Sequence, residues 1–288
     1  MTMKKYLSLL LVLFLVPALT ASAGKIVTDS LRSEILNSTV KFNVYLPDGF
    51  DKSDATYPVI YLLHGLTGNH TDWKNLGHMQ TVADELSRSG EIRPMVIVMP
   101  CAGDRDTHHV PNGYFNMPNW NYEDFFYQEF IPAVETKYRI IGDKGHRAVQ
   151  GLSMGGGGSA VYAQRYPGMY SSCYIMSGWL DNKTDEVKAS KGPKDCLYYT
   201  GEAVKEHSAI DFVNNADEAT IEALKTVKWF IDCGDDDFLF DQNVSLHQAM
   251  RRHGIKSELR VRDGVHNWEY WHLALRMSLP FASRNFDK

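Results

Sequence analysis

Two rhythms of apolar and polar residues run along this chain. Residues 39–46 (TVKFNVYL) largely alternate the two classes, the period-two pattern of a half-buried strand. Residues 57–63 (YPVIYLL) and 95–99 (MVIVM) are continuous β-prone runs, suited to strands covered on both faces. Residues 148–152, 173–176, 227–231 and 257–261 read as further strands. Helical patterning occupies 79–86, 121–138, the stretch from 154 to Tyr166, 245–253 closed by Gly254, and 268–277. Asn121 stands where a helix N-cap belongs, and Pro132 predicts a bend or an internal break. Strands alternating with helices imply βαβ units: an α/β fold with a mostly parallel sheet and helices on both faces. In such sheets ligands collect beyond the C-terminal ends of the strands.

The front of the chain follows neither rhythm. Lys4 and Lys5 precede an apolar run over 7–19, and Ala21-Ser22-Ala23 supplies small residues at cleavage spacing. These are the parts of a secretory signal peptide, too short for a comfortable membrane span. The expectation is a leader over 1–23, a mature domain over 24–288, export to the periplasm or the outside, and no stable membrane insertion after cleavage. With 288 residues, 44% of them hydrophobic, and only 22 Gly and 11 Pro, disorder and low complexity are excluded. Loss of Lys4 and Lys5 takes the formal charge from −5 to −7. An acidic chain without a basic, aromatic-interleaved cluster is no nucleic-acid partner. Cys101, Cys173, Cys196 and Cys233 allow three disulfide connectivities and their spacing selects none. No CxxC or HExxH spacing suggests a metal, and no cofactor is expected.

Chemistry concentrates in four places. Gly151-Leu152-Ser153-Met154-Gly155 is a G-x-S-x-G element placed after a strand and before a helix. That context lifts Ser153 above the sheet edge as a nucleophile, close to a helix N-terminus that favours developing negative charge. Gly155 to Gly158 open that helix at a cost in propensity, which suggests close backbone packing. A serine nucleophile needs a base and an orienting acid, in the chain order Ser, acid, His. Any of Asp235, Asp236 and Asp237 qualifies as the acid, and a turn starting at Gly234 favours Asp237. The run lacks the EF-hand spacing and its Glu, against a Ca²⁺ loop. Among eleven His, His266 follows the last strand and precedes the last helix, at the edge that carries Ser153. His272 reads as packed or capping, His108 and His109 as an exposed pair, and His64 as a structural hydrogen-bonding residue. His64-Gly65-Leu66-Thr67-Gly68 follows 57–63 directly, so the N–H groups of Leu66 and Met154 form a candidate oxyanion hole, where one donor is worth about 3–4 kcal/mol.

Together LLHGLTG, GLSMGG, CGDDDFL and GVHNWEYW resemble the esterase D-like α/β-hydrolases. That group holds S-formylglutathione hydrolases, tributyrin-type esterases, and the feruloyl and acetyl-xylan esterases of carbohydrate esterase family one. The resemblance runs from about residue 40 to 277. It implies Ser153 as nucleophile, Asp237 as acid, His266 as base, and Leu66 and Met154 as oxyanion donors. Export disfavours the glutathione thioester role and favours acylated plant polysaccharide fragments or short-chain esters. Tyr114, Phe115, Trp120 and Trp179, with Trp268, either stack on sugar or phenolic rings or make a core of their own. Residues 180–226 are a cap over the cleft or a surface insertion, with Asn215 capping a helix over 216–226. Acyl transfer to a sugar and a degenerate, carbohydrate-binding hydrolase are the competing functions.

Overall fold

The computed structural model describes residues 23–103, 113–182 and 196–288. The segment expected to be a leader, apart from Ala23, and the pair His108 and His109 lie outside the described residues. Eight strands form one sheet: β1 (Lys25–Ser33), β2 (Ser38–Leu46), β3 (Val59–Leu63), β4 (Val96–Pro100), β5 (Arg147–Leu152), β6 (Ser172–Met176), β7 (Lys228–Gly234) and β8 (Ser257–Arg262). Their order is β1-β2-β4-β3-β5-β6-β7-β8, antiparallel for the first two pairings and parallel from β4 to β8.

Besides a single α-helical turn at Asp72–Asn75, the α-helices are α1 (Met79–Arg88), α2 (Tyr122–Phe125, Phe126–Phe130 and Ile131–Lys137 in succession), α3 (Met154–Arg165), α4 (Cys196–Glu206), α5 (Ala209–Asn214), α6 (Glu218–Leu224), α7 (Phe240–Arg252) and α8 (Trp268–Asn285). The continuous apolar runs are explained by burial on both faces. Val59, Tyr61 and Leu63 of β3 join one core with α2, α3 and α7, while Ile60 and Leu62 face the other with α1 and α8. Polar alternation is absent because neither face meets water.

Four local expectations are corrected. β1 was not anticipated: as an edge strand it buries little, and its residues alternate between exposed and half-buried along most of its length. Asn121 occupies the N-cap position without a side-chain capping bond; residues 120–121 pair with 116–117 in a small ladder instead. Helix α2 does not break at Pro132 but widens to a π-turn over Phe126–Phe130 just before it, so the proline stands in the first turn of the α-helical part. The cap of α6 is Asp217, accepting from Thr220 N at 2.8 Å, while Asn215 closes α5. In addition, α8 continues past 277 through Pro280, held by the Phe281 ring against Tyr174 and Phe230 at 5.7 and 5.3 Å.

Within 180–226, the α5 residues Ala209 and Val213 and the α6 residue Leu224 belong to the main core. The buried sulfurs of Cys101, Cys173 and Cys233 are thiols. No helix among the described residues is long and apolar enough to cross a membrane.

The strand leading to Ser153 is anchored at its start. Arg147 grips Glu135 of α2 through two bonds of 2.8 and 3.0 Å, and Tyr61 donates to the same carboxylate at 3.1 Å. Removing one partner of a buried ion pair strands the other. Glu135→Ala is therefore expected to lower the unfolding free energy by about 3–5 kcal/mol, read from urea denaturation; a loss under about 1 kcal/mol would show the pair to be idle.

Candidate active site

Between β5 and α3 the chain reverses within one residue. Ser153 takes φ 53° and ψ −119°, a region that side-chain-bearing residues rarely occupy. Its N–H donates to Met176 O at 2.9 Å, and its carbonyl accepts from Gly157 N at 3.0 Å and Trp179 N at 2.9 Å. The flanking glycines are steric necessities. A Cβ on Gly151 would overlap the Gly155 carbonyl, and one on Gly155 would lie 2.5 Å from His64 O. Gly157 likewise lets α3 touch the Trp179 backbone, so the four-glycine helix start does serve close packing.

Two loops beyond β7 and β8 are tied together. Asp235 N donates to Arg262 O and Asp236 N to Gly264 O, both at 3.2 Å, and Asp235 Oδ1 accepts from Gly264 N at 3.1 Å. This ladder sets Asp237 against His266. The imidazole Nδ1 lies 3.0 and 2.8 Å from the two Asp237 oxygens, and Nε2 lies 2.9 Å from Ser153 Oγ. The three predicted residues thus form one continuous hydrogen-bonded chain. Asn267 caps α8 immediately afterwards by accepting from Tyr270 N at 3.0 Å.

Burial pushes the Asp237 carboxyl up, but bonds from His266, Leu239 N–H and Ser177 outweigh it and hold the group below the usual carboxylate range. Ser177 was not anticipated. Trp271 Nε1 donates to its Oγ at 3.2 Å, and because an indole only donates, the Ser177 oxygen accepts in that bond and its proton stays free for a neighbouring acceptor. Asp235, Asp236 and Asp263 are, among the described residues, the cluster with metal-ligand spacing; all three are exposed, and Asp235 already ties the loops.

On the opposite wall, Gly65 to Gly68 form a turn closed by Gly68 N to Gly65 O at 3.1 Å, with Thr67 at φ 61°. His64 braces it: Nδ1 donates to Gly65 O at 2.8 Å, and Nε2 accepts from Ala102 N at 2.9 Å. Neither Leu66 N–H nor Met154 N–H meets an acceptor within the protein among the described residues. A cleft of about 470 Å³ separates the walls, lined by Leu66, Leu76, Ser153, Phe238, His266, Trp268 and Trp271 among others, and by no residue of 196–226.

Trp268 is the one aromatic candidate on this cleft. Tyr114, Trp120 and Trp179 are corrected to core residues. Tyr114 donates to His64 O at 3.0 Å and Trp120 Nε1 to Ala102 O at 3.1 Å, so both support the turn from behind. Phe115 is buried against His207. Sequence reasoning missed two cleft aromatics: Trp271, edge-on to His266 at 4.8 Å between centroids, and Phe238, 75% exposed, with its ring centroid 4.5 Å from that of His266. The only signal for Phe238 was adjacency to Asp237. His272 is packed as expected, bonding Gly77 O at 2.8 Å.

Residues 33–282 match the Esterase family model. The chain is 27% identical over 257 residues to the endo-1,4-beta-xylanase/feruloyl esterase of Xylanibacter ruminicola, covering 88% of this chain and 30% of that protein. It is 36% identical over 139 residues to Esterase Rv1288 of Mycobacterium tuberculosis, covering 47% and 28%. The chain thus spans about 30% of the length of these curated relatives. Among solved structures it is similar to a ferulic acid esterase, with 46% identity, a TM-score of 0.87, and 92% and 100% of the two chains covered. An S-formylglutathione hydrolase from Staphylococcus aureus shares the fold at 18% identity, with a TM-score of 0.73 and coverage of 91% and 100%.

The brace has a pH signature. Burial lowers the His64 pKa from 6.5 to about 4. The unfolded chain therefore binds a proton at His64 that the folded chain refuses, and stability falls as pH drops from about 6.5 to about 4. His64→Asn is expected to remove roughly 3 kcal/mol of that acid sensitivity, measured by urea unfolding across this range. An unchanged slope would mean that His64 is protonated in the folded state.

Proposed function

We propose that this chain, which belongs to the Esterase family of carboxylic ester hydrolases, works as an exported serine esterase through an acyl-enzyme. The observation that carries this reading is the chain of bonds from Ser153 Oγ through His266 to Asp237, at 2.9 and 2.8 Å. In it, His266 Nε2 takes the Ser153 proton as Oγ attacks the ester carbonyl. Asp237, ionised because its pKa is lowered, holds Nδ1–H and stabilises the imidazolium. The Leu66 and Met154 N–H groups receive the developing oxyanion. The imidazolium then protonates the departing alkoxide. Water, deprotonated by the same imidazole, releases the carboxylic acid and restores Ser153.

The substrate class we favour is feruloyl or acetyl esters of plant polysaccharide fragments, in which an acylated oligosaccharide is the partner. The 46% identity to a ferulic acid esterase supports it, as does a cleft walled by Phe238, Trp268, Trp271 and Leu76. Export rests on the leader pattern at 1–23 and suits a polymer substrate that stays outside the cell. Because His266 must reach the leaving oxygen, the alcohol departs on its side of the cleft. Phe238, packed on that imidazole and otherwise exposed, is then the surface that the alcohol's apolar face covers.

Ser153→Ala is expected to reduce kcat on p-nitrophenyl acetate by more than about 10⁴-fold with the melting temperature held; retained turnover would remove Ser153 from the mechanism. For Phe238→Ala, kcat/KM should fall about tenfold, or ~1.4 kcal/mol, on a feruloylated sugar but much less on methyl ferulate. Deacylation in single turnovers should not change, since the alcohol has already left. Equal losses on both esters would show that Phe238 does not contact the alcohol.

A further inference from the structure

At the start of β1 lies an arrangement that ester chemistry does not use. Gly24 is buried although Ala23 before it is exposed. Its N–H donates to Asp84 Oδ1 at 2.9 Å, and its carbonyl accepts from Gln80 Nε2 at 2.8 Å, so two α1 side chains grip one residue. Tyr45 donates its hydroxyl to the same Asp84 oxygen at 2.8 Å. The Tyr45 ring lies so close that a Cβ on residue 24 would overlap it, so glycine alone fits.

Asp84 is 9% exposed and makes no ion pair with any side chain among the described residues. Two neutral donors are poor compensation for a buried carboxylate, which ordinarily has a cation beside it. In the uncut chain, Gly24 N is a neutral amide. Hydrolysis of the Ala23–Gly24 bond adds one water, leaving a carboxylate on Ala23 and an ammonium on Gly24 that is mostly protonated at pH 7. That ammonium would stand where the amide stands, 2.9 Å from Asp84 Oδ1, and bring a positive charge to the carboxylate. The residues before the bond, Ala21-Ser22-Ala23, have the small side chains a leader peptidase accepts.

We infer that the Ala23–Gly24 bond is the processing point and that Asp84 is a built receptor for the new Gly24 α-ammonium, so that leader removal installs a buried ion pair pinning β1 to α1. This inference rests on the export reading.

The test starts from the protein isolated after export. Its N-terminus, read by mass spectrometry, is expected at Gly24; any other terminus overturns both the inference and the cleavage site. Amine acetylation at pH 7 should then modify the Gly24 α-amine at least about tenfold more slowly in the folded than in the urea-unfolded protein. A chain retaining Ser22-Ala23 should melt about 5 °C lower. Asp84→Asn should cost a similar shift in the processed chain and little in the extended one. A Gly24 terminus with an unprotected amine, or an extension without effect on melting, overturns the ion pair and leaves export standing. Should Asp84→Asn fail to fold, the acetylation rate and the extended chain still decide.

Discussion

A single residue in a costly conformation organises this molecule. Ser153 is held at positive φ by bonds to Met176 and from Gly157 and Trp179, and such a backbone costs on the order of 1–3 kcal/mol unless its surroundings over-determine it. The surroundings do so by bringing backbone against backbone. Residues 151, 155 and 157 are glycine because the neighbouring carbonyls leave no room for a side chain. The helix that follows gives up propensity at four consecutive positions to make this approach. Strain at the turn and glycine in the helix are two sides of one requirement: a hydroxyl that faces the cleft from a rigid base.

The second requirement is to bring in two side chains from distant parts of the chain without losing that rigidity. It is met by backbone ties between the loops after β7 and β8 rather than by contacts of the reacting groups alone. Below the ties, Asp232 is fully buried and accepts from Tyr174 at 2.7 Å and Tyr270 at 2.6 Å. Arg262 lies over the Tyr270 ring at 3.6 Å and donates to its carbonyl at 2.8 Å. Tyr270 also receives the Asn267 cap, so the first turn of α8 and the floor of the sheet fix the His266 loop together. A satisfied buried network of this kind rigidifies what it touches.

The cleft reverses the usual distribution of aromatic surface. Phe238 is left in water while Tyr114, Trp120 and Trp179 are withdrawn from it. Tyr114 and Trp120 give their polar atoms to the backbone of His64 and Ala102, stiffening the wall opposite Ser153. An exposed ring beside the His266 imidazole is costly to keep unless something covers it in use, which agrees with the proposed alcohol site on that side.

Much was legible in the chain itself. The strands β3 to β7 showed as apolar runs because burial on both faces leaves a continuous signature, while β2 showed by its alternation. Gly-x-Ser-x-Gly between strand and helix, an aspartate three residues past Gly234, and a histidine before the last helix marked the residues that the structure brings within hydrogen-bond reach. Those signals are local: each concerns the conformation of a few adjacent residues. Position relative to the rest of the fold was not encoded that way. An edge strand such as β1 has too little buried surface to write a pattern, and α8 extends past its expected end because Phe281 finds partners on β6 and β7. Whether an aromatic lines a cleft or fills a core depends on which elements arrive beside it, and so Phe238 and Ser177 acquired their places only when β6, β7 and α8 packed together. Local sequence selects backbone conformation; exposure and partnership are properties of the assembled layers.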